Sequence, residues 1–268
     1  MIHSFHDLPR FQYIEVAQAQ ENVCVIRLNR PEKRNAFTPL MISELAFVMR
    51  WVQENSSIWL VRLEANGPVF CAGMDLLVFE NPSLDVENEA IPRVSMSLAA
   101  VMRLCHKPIV CLVEGNVYAG GFLLVGESTF VVCGEDVRFS LPEVKRGIFP
   151  FQVMDTLSWR MPMAKLLEIS ILGEDFSAKD ALGMGLATFV VPKGNVAEKA
   201  NELVEKLHKN APFAIQKGIA SARKMQELDK SERLDWLKAE LESLKSTEDA
   251  REGILAFKEK RAPNWKNG

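Results

Sequence analysis

The 268-residue chain has no apolar stretch approaching the roughly 20 residues that a membrane-spanning helix needs. It has no basic block and no interleaving of arginine with aromatic residues, so the electrostatic footprint of a nucleic-acid binder is missing. Neither GxGxxG nor GxxxxGK[ST] occurs, which leaves a dinucleotide or phosphate cradle unsupported. The five cysteines form no CxxC pair; scattered through apolar runs, they read as buried thiols of a reducing compartment. The four histidines stand at no zinc-ligand spacing, and His3 and His6 fall near the amino-terminal end. No metal and no separate cofactor is therefore expected. The opening stretch MIHSFHDLPRFQYIEV lacks the charged-then-apolar order of a secretory signal, and a cytoplasmic location is the expectation.

What is present is an apolar content of 48% and a net charge of only −3, enough for a sizeable core in one large domain or one domain with an appendage. β-Branched runs predict strands over 23–28, 58–65, 107–115 and 130–133. Thr38 followed by Pro39 reads as a helix start, with Met41, Leu45, Val48, Met49 and Val52 on one face. A further helix is expected near 93–105. From about Gly194 the pattern turns wholly helical, over 195–208, 212–228, 231–246 and 248–261. Strands alternating with helices, then helices alone, predict an α/β core with a C-terminal helical subdomain.

Twice a strand runs into a glycine-bearing loop and then a helix: WLVRLEANGPVFCAGMDL and IVCLVEGNVYAGGFLLV. Amides at two such helix starts, brought together, would stabilise a negatively charged oxygen. The adjacent Gly120 and Gly121 admit two readings: tight helix packing, or close approach of a ligand to the backbone.

Five segments in order, LNRPEKRNAF, FCAGMDL, KPIVCLVEGNVYAGG, PEVKRGIFP and REGILAFKEKR, make the chain resemble the crotonase superfamily, the enoyl-CoA hydratase/isomerase family, over roughly residues 10–265. The resemblance implies a crotonase-like spiral of ββα turns over 1–194, carrying the coenzyme A and thioester site. It implies a helical trimerisation region over 195–268, assembly as a homotrimer or a dimer of trimers, and an acyl-CoA thioester as substrate. It places oxyanion-binding amides at Met74 and Gly120, with Asp75 and Gly121 beside them, and puts Ala72 near the adenine. Arg30, Arg34 and Ala36 border coenzyme A, the arginines meeting phosphate or remaining solvated loop charges. Phe257 and Lys260 match positions at the nucleotide end, although Phe257 also reads as a core residue of an amphipathic helix.

Members that hydrate typically carry two glutamates. The second corresponds to Glu143; the first falls on Leu123, which can move no proton. Glu127, one helical turn on, is a weak substitute. A single carboxylate suits 3-enoyl to 2-enoyl isomerisation. The alternatives are a one-glutamate hydratase, a lyase or decarboxylase, which the retained Glu143 argues against, and a non-catalytic acyl-CoA binder. Met74, Phe79, Phe122, Leu123, Phe149 and Phe151 predict an apolar acyl pocket, with no charged group evident for a dicarboxylic chain.

Overall fold

A computed structural model describes residues 4–268, so His3 lies outside the described residues. An antiparallel pair, β1 (Ile14–Gln20) and β2 (Val23–Leu28), leads into α1 (Pro39–Glu54). Next come β3 (Leu60–Ala65), β4 (Val69–Cys71), α2 (Leu76–Glu80) and α3 (Leu98–Met102). The following turn is β5 (Ile109–Val113), β6 (Asn116–Tyr118) and α4 (Gly121–Glu127). Then follow β7 (Phe130–Gly134), β8 (Arg138–Ser140), α5 (Phe151–Leu157) and α6 (Met163–Leu172). β9 (Phe176–Ser177), α7 (Ala178–Met184) and β10 (Phe189–Val191) close the sheets, and α8 (Val196–His208), α9 (Pro212–Glu227), α10 (Lys230–Lys245) and α11 (Glu248–Glu259) end the chain.

The strands form a six-stranded sheet, β1-β2-β3-β5-β7-β10, and a four-stranded sheet, β4-β6-β8-β9. Apart from β1–β2 and β8–β9, neighbours run parallel. From β3 to α6, three successive turns of chain each give one strand to the large sheet, one to the small sheet, and then helix, the expected ββα spiral; the first turn gives both β1 and β2 to the large sheet. A parallel sheet of this kind must be covered on both faces, and β5, IVCLV, is buried throughout.

That burial moves the boundary expected at residue 194. Val196, Ala200 and Leu203 of α8 pack on Val110, Leu112 and Val132 of the large sheet, and Val204 packs on Val23 and Leu60. α8 is thus a wall of the spiral core, and the helical part free of the sheet begins at α9. The predicted strands at 23–28, 58–65, 107–115 and 130–133 are β2, β3, β5 and β7. The expected helix over 93–105 contracts to α3, which Ser97 caps by accepting the Ala100 amide at 3.2 Å.

α1 is as read: its face residues Met41, Leu45, Val48, Met49 and Val52 are fully buried, and Thr38 Oγ1 accepts the Met41 amide at 3.2 Å. This cap follows directly on Phe37, a wall of the site below. Thr38→Ala is expected to destabilise the protein by about 1 kcal/mol, the usual loss for a removed N-cap, read as a shift in the urea midpoint at constant slope.

Candidate active site

The loop after β2, residues 29–37, is held by its own polar side chains. Asn35, fully buried, donates through Nδ2 to the carbonyls of Asn66 and Val69 at 2.8 and 2.9 Å, and its Oδ1 accepts the Arg30 amide at 2.9 Å. Arg30 donates to the Ala36 carbonyl at 3.0 Å and pairs with Asp75 at 2.8 Å, its guanidinium lying 5.1 Å from the Tyr13 ring centre. Asp75 in turn caps α2. Arg30 and Asp75 therefore act as a buried strut between two loops. Arg30 is thus neither the free guanidinium at a phosphate nor the solvated loop charge that the sequence left as its two readings.

The strut holds Phe37 beside Met74. The Phe37 amide donates to the Gly73 carbonyl at 2.8 Å, and the Asp75 amide donates to the Phe37 carbonyl at 3.0 Å. In a parallel bridge of this kind the middle residue directs its own amide to the opposite side. The amides of Met74 and Gly120 have no acceptor among the described residues, and both residues line one cavity of about 430 Å³. Gly73 has φ +91°; a β-carbon there would lie 2.9 Å from the Gly120 nitrogen and 2.8 Å from the Ala119 β-carbon. Of the two readings of Gly120 and Gly121, close packing of the protein on itself is the one the geometry shows. A β-carbon on it would stand 2.8 Å from the Phe37 ring, and one on Gly121 would stand 2.8 Å from the Cys71 carbonyl. The protein itself makes the close approach.

Glu143 lies in the tight turn Pro142–Arg146, which Gly147 closes with φ +76°. Its residue is 8% exposed and lines the same cavity, and its Oε2 has no hydrogen-bond partner among the described residues. Burial pushes the carboxyl above its usual range, against a hydrogen bond from its own amide and the nearby Arg146 cation, which lower it. Leu123, buried, lines the cavity too, with Phe37, Ile148, Phe149 and Phe151.

Residues 18–268 match the sequence model described as enoyl-CoA hydratase/isomerase. The chain belongs to that family. The 2,3-dehydroadipyl-CoA hydratase of Escherichia coli is 30% identical over 94% of this chain and 98% of its own. A putative enoyl-CoA hydratase of Thermus thermophilus is 32% identical over 91% and 97%. A crystal structure of an enoyl-CoA hydratase/isomerase from Mycobacterium paratuberculosis superposes with a TM-score of 0.85 at 26% identity, covering 97% of this chain and all of that one. This enoyl-CoA hydratase/isomerase family member is an enzyme of CoA-thioester chemistry, and among its described residues no helix is long and apolar enough to cross a membrane.

Within this family member, the cavity gathers Met74, Gly120, Leu123, Glu143 and Ala72 of the expected site residues, with Phe149 and Phe151 of the expected acyl wall. Gly121 lies behind it as packing. Arg34 is exposed, with φ +53°. Phe257, far from a core residue, is 85% exposed, and Lys260 ends α11 on the surface. Phe122 is buried against Phe139 and Phe176 rather than lining the pocket, and Phe79 stacks edge-on to Phe37. Glu127 faces a different cavity, held by Arg103 at 2.7 Å and Thr156 at 3.1 Å.

The sequence reading missed Phe37 and Gly73 as site formers, although each stood inside a motif segment, LNRPEKRNAF and FCAGMDL. Arg146, a cation of the PEVKRGIFP segment close enough to Glu143 to lower its carboxyl, lines the cavity. Because Phe37 seats against Gly120, Gly120→Ala is expected to cost about 1–3 kcal/mol from overpacking. Pairing it with Phe37→Leu should recover part of that loss, so a double-mutant cycle by urea denaturation should give a favourable coupling. An additive cycle would remove Phe37 as the reason for glycine at 120.

Proposed function

We propose that this protein is an enoyl-CoA isomerase that shifts a double bond between the 3- and 2-positions through an enolate, with Glu143 as the only acid/base. The Met74 and Gly120 amides hold the thioester oxygen and stabilise the enolate as it forms. Ionised Glu143 takes the proton from C2; the electron pair moves onto the thioester oxygen; protonated Glu143 then delivers that proton to C4 as the enolate collapses to the conjugated 2-enoyl thioester. The observation that carries this reading is the buried, unpartnered Oε2 of Glu143 in a cavity where Leu123 occupies the place of a second acid. A carboxyl raised by burial is matched to abstracting a proton near neutral pH.

A one-glutamate hydratase is the second reading, favoured by the names of the relatives, a 2,3-dehydroadipyl-CoA hydratase among them. The two separate when 2-enoyl and 3-enoyl thioesters are turned over in parallel in deuterated water. The isomerase converts 3-enoyl substrate faster than it hydrates 2-enoyl substrate, with label entering C2 and C4. Binding without turnover of either would leave a non-catalytic acyl-CoA protein. We read the assembly as a trimer or a dimer of trimers in the cytoplasm. Support comes from the exposed Leu234, Leu241, Ile254, Leu255 and Phe257 of α10 and α11, an apolar area that a subunit contact would cover.

Glu143→Gln is expected to lower kcat by about 10² to 10⁴ with acyl-CoA affinity nearly unchanged. In the wild type the acidic limb of kcat/KM should lie above the ordinary glutamate value of about 4.3, because the base must be ionised and its folded pKa is raised. The same raised pKa means the folded state binds this proton more tightly than the unfolded chain. Its stabilisation is present below the unfolded pKa and is lost as pH rises through the folded one. Glu143→Gln should therefore melt higher than wild type at pH 7, with the difference shrinking toward pH 4. An inactive variant that melts lower at pH 7 would place Glu143 in a structural role.

A further inference from the structure

Arg146 stands three residues after Glu143 on the same short turn, and both line the cavity. The buried floor of that cavity is Leu123, Glu143 and Val153, while Arg146, Ile148 and Phe151 are exposed and form its rim. Among the described residues Arg146 has no carboxylate within ion-pair distance and no hydrogen-bond acceptor. This separates it from Arg30 and Arg103, each of which is committed to an acid. Nor is its charge consumed by Glu143, whose carboxyl stays above its usual range with Arg146 nearby. A cation without a partner, on the rim of an otherwise mostly apolar wall, is free for a ligand.

We infer that Arg146 is a specificity residue for acyl chains that end in an anionic oxygen group, a carboxylate above all. The inference rests on the reading that the cavity takes an acyl-CoA thioester. The guanidinium fork suits any planar or tetrahedral oxyanion, so a phosphate of the CoA moiety shares the chemistry. The surroundings favour the acyl terminus. Ile148, Phe149 and Phe151 offer hydrocarbon contact to an alkyl chain and no donors to a diphosphate. A chain lying from the floor at Glu143 toward this rim brings its far end to the guanidinium. This corrects the expectation of a pocket with no charge for a dicarboxylic chain.

The test compares two saturated six-carbon acyl-CoA thioesters, one ending in methyl and one in carboxylate, titrated calorimetrically into wild type, Arg146→Met and Arg146→Lys. Wild type should bind the carboxylate-ended ligand roughly 10-fold tighter, the scale of one charge-assisted hydrogen-bonded contact. Arg146→Met should erase that preference and leave the methyl-ended ligand unaffected, and Arg146→Lys should keep part of it. Equal wild-type affinities overturn the inference. An equal weakening of both ligands in Arg146→Met also overturns it, assigning Arg146 to the CoA phosphates. In turnover of the matching 3-enoyl pair, the Met variant should raise KM for the carboxylate-ended substrate alone. Because the Arg146 cation lowers the Glu143 carboxyl, the acidic limb should move up in the Met variant for both substrates; a fall in kcat for both at pH values well above that limb would make Arg146 part of the catalytic machinery and overturn the inference. If wild type turns over neither substrate yet the binding preference stands, the proposed function fails and the role of Arg146 survives.

Discussion

The site depends on how closely the loop leaving β4 approaches the loop leaving β6. The two strands are parallel neighbours, with Val69 beside Asn116 and Cys71 beside Val117, so their chains emerge side by side at the sheet's usual spacing of about 4.8 Å. At that spacing the loops meet backbone to backbone. Gly73 leaves no room for a β-carbon in front of the Gly120 nitrogen, and Gly121 leaves none against the Cys71 carbonyl. The third loop closes over this contact because Asn35 and Arg30 satisfy backbone carbonyls and Asp75 that would otherwise be stranded. Phe37 is thereby delivered onto Gly120. The amides of Met74 and Gly120 are left without a protein acceptor among the described residues.

Hydrogen bonding sets Glu143 apart from the other interior carboxylates, although burial raises the Glu44 carboxyl as well. Glu44 accepts the amides of Gln12 and Tyr13 at 2.6 and 2.9 Å. Asp85 takes the Leu40 amide and Arg93, and Glu127 is tied to Arg103 and Thr156. Asp249 keeps one oxygen free but gives the other to two amides. Glu143 has only its own amide and a rim cation, so burial wins and its pKa rises. A buried acid left short of partners lowers stability, and such departures from the general rule gather at functional sites.

Four strands, the capped α1, the four C-terminal helices and the glycine loops were legible in the sequence, because each carries a local signal: β-branching, a Thr-Pro start, or helical spacing. β4, β6, β8, β9 and β10 were not. They span two or three residues each, too short to display alternation, and they exist because the spiral stacks them. β1, IEVAQAQ, is an exposed edge with almost no buried residues. The same limit governs the site. Gly73, Gly120 and Glu143 announce themselves by residue type within motifs. Whether Phe37 faces Gly120, or Arg30 faces Asp75 45 positions away in sequence, is decided by tertiary packing. The sequence reading attached Gly120 to a ligand because the ring that needs the space lies in a different loop.

Leu123 gives the pocket a consequence beyond the loss of an acid. Two carboxylates in one dry cavity would repel, one of them held protonated by the other. With leucine there, Glu143 titrates beside only a single neighbouring charge, that of Arg146, in a lining that is otherwise mostly hydrocarbon. Moving a double bond takes a proton from one carbon and returns it to another, so one carboxyl completes the cycle and finishes in its starting state. No water has to be placed, and the Leu123 side chain keeps that part of the lining apolar. Adding water across the bond asks more of the same carboxyl: it must orient the water, take its proton and then reach the α-carbon, without a second group to share the task. Of the two reactions, the proposed isomerisation therefore asks the less of a lone carboxyl.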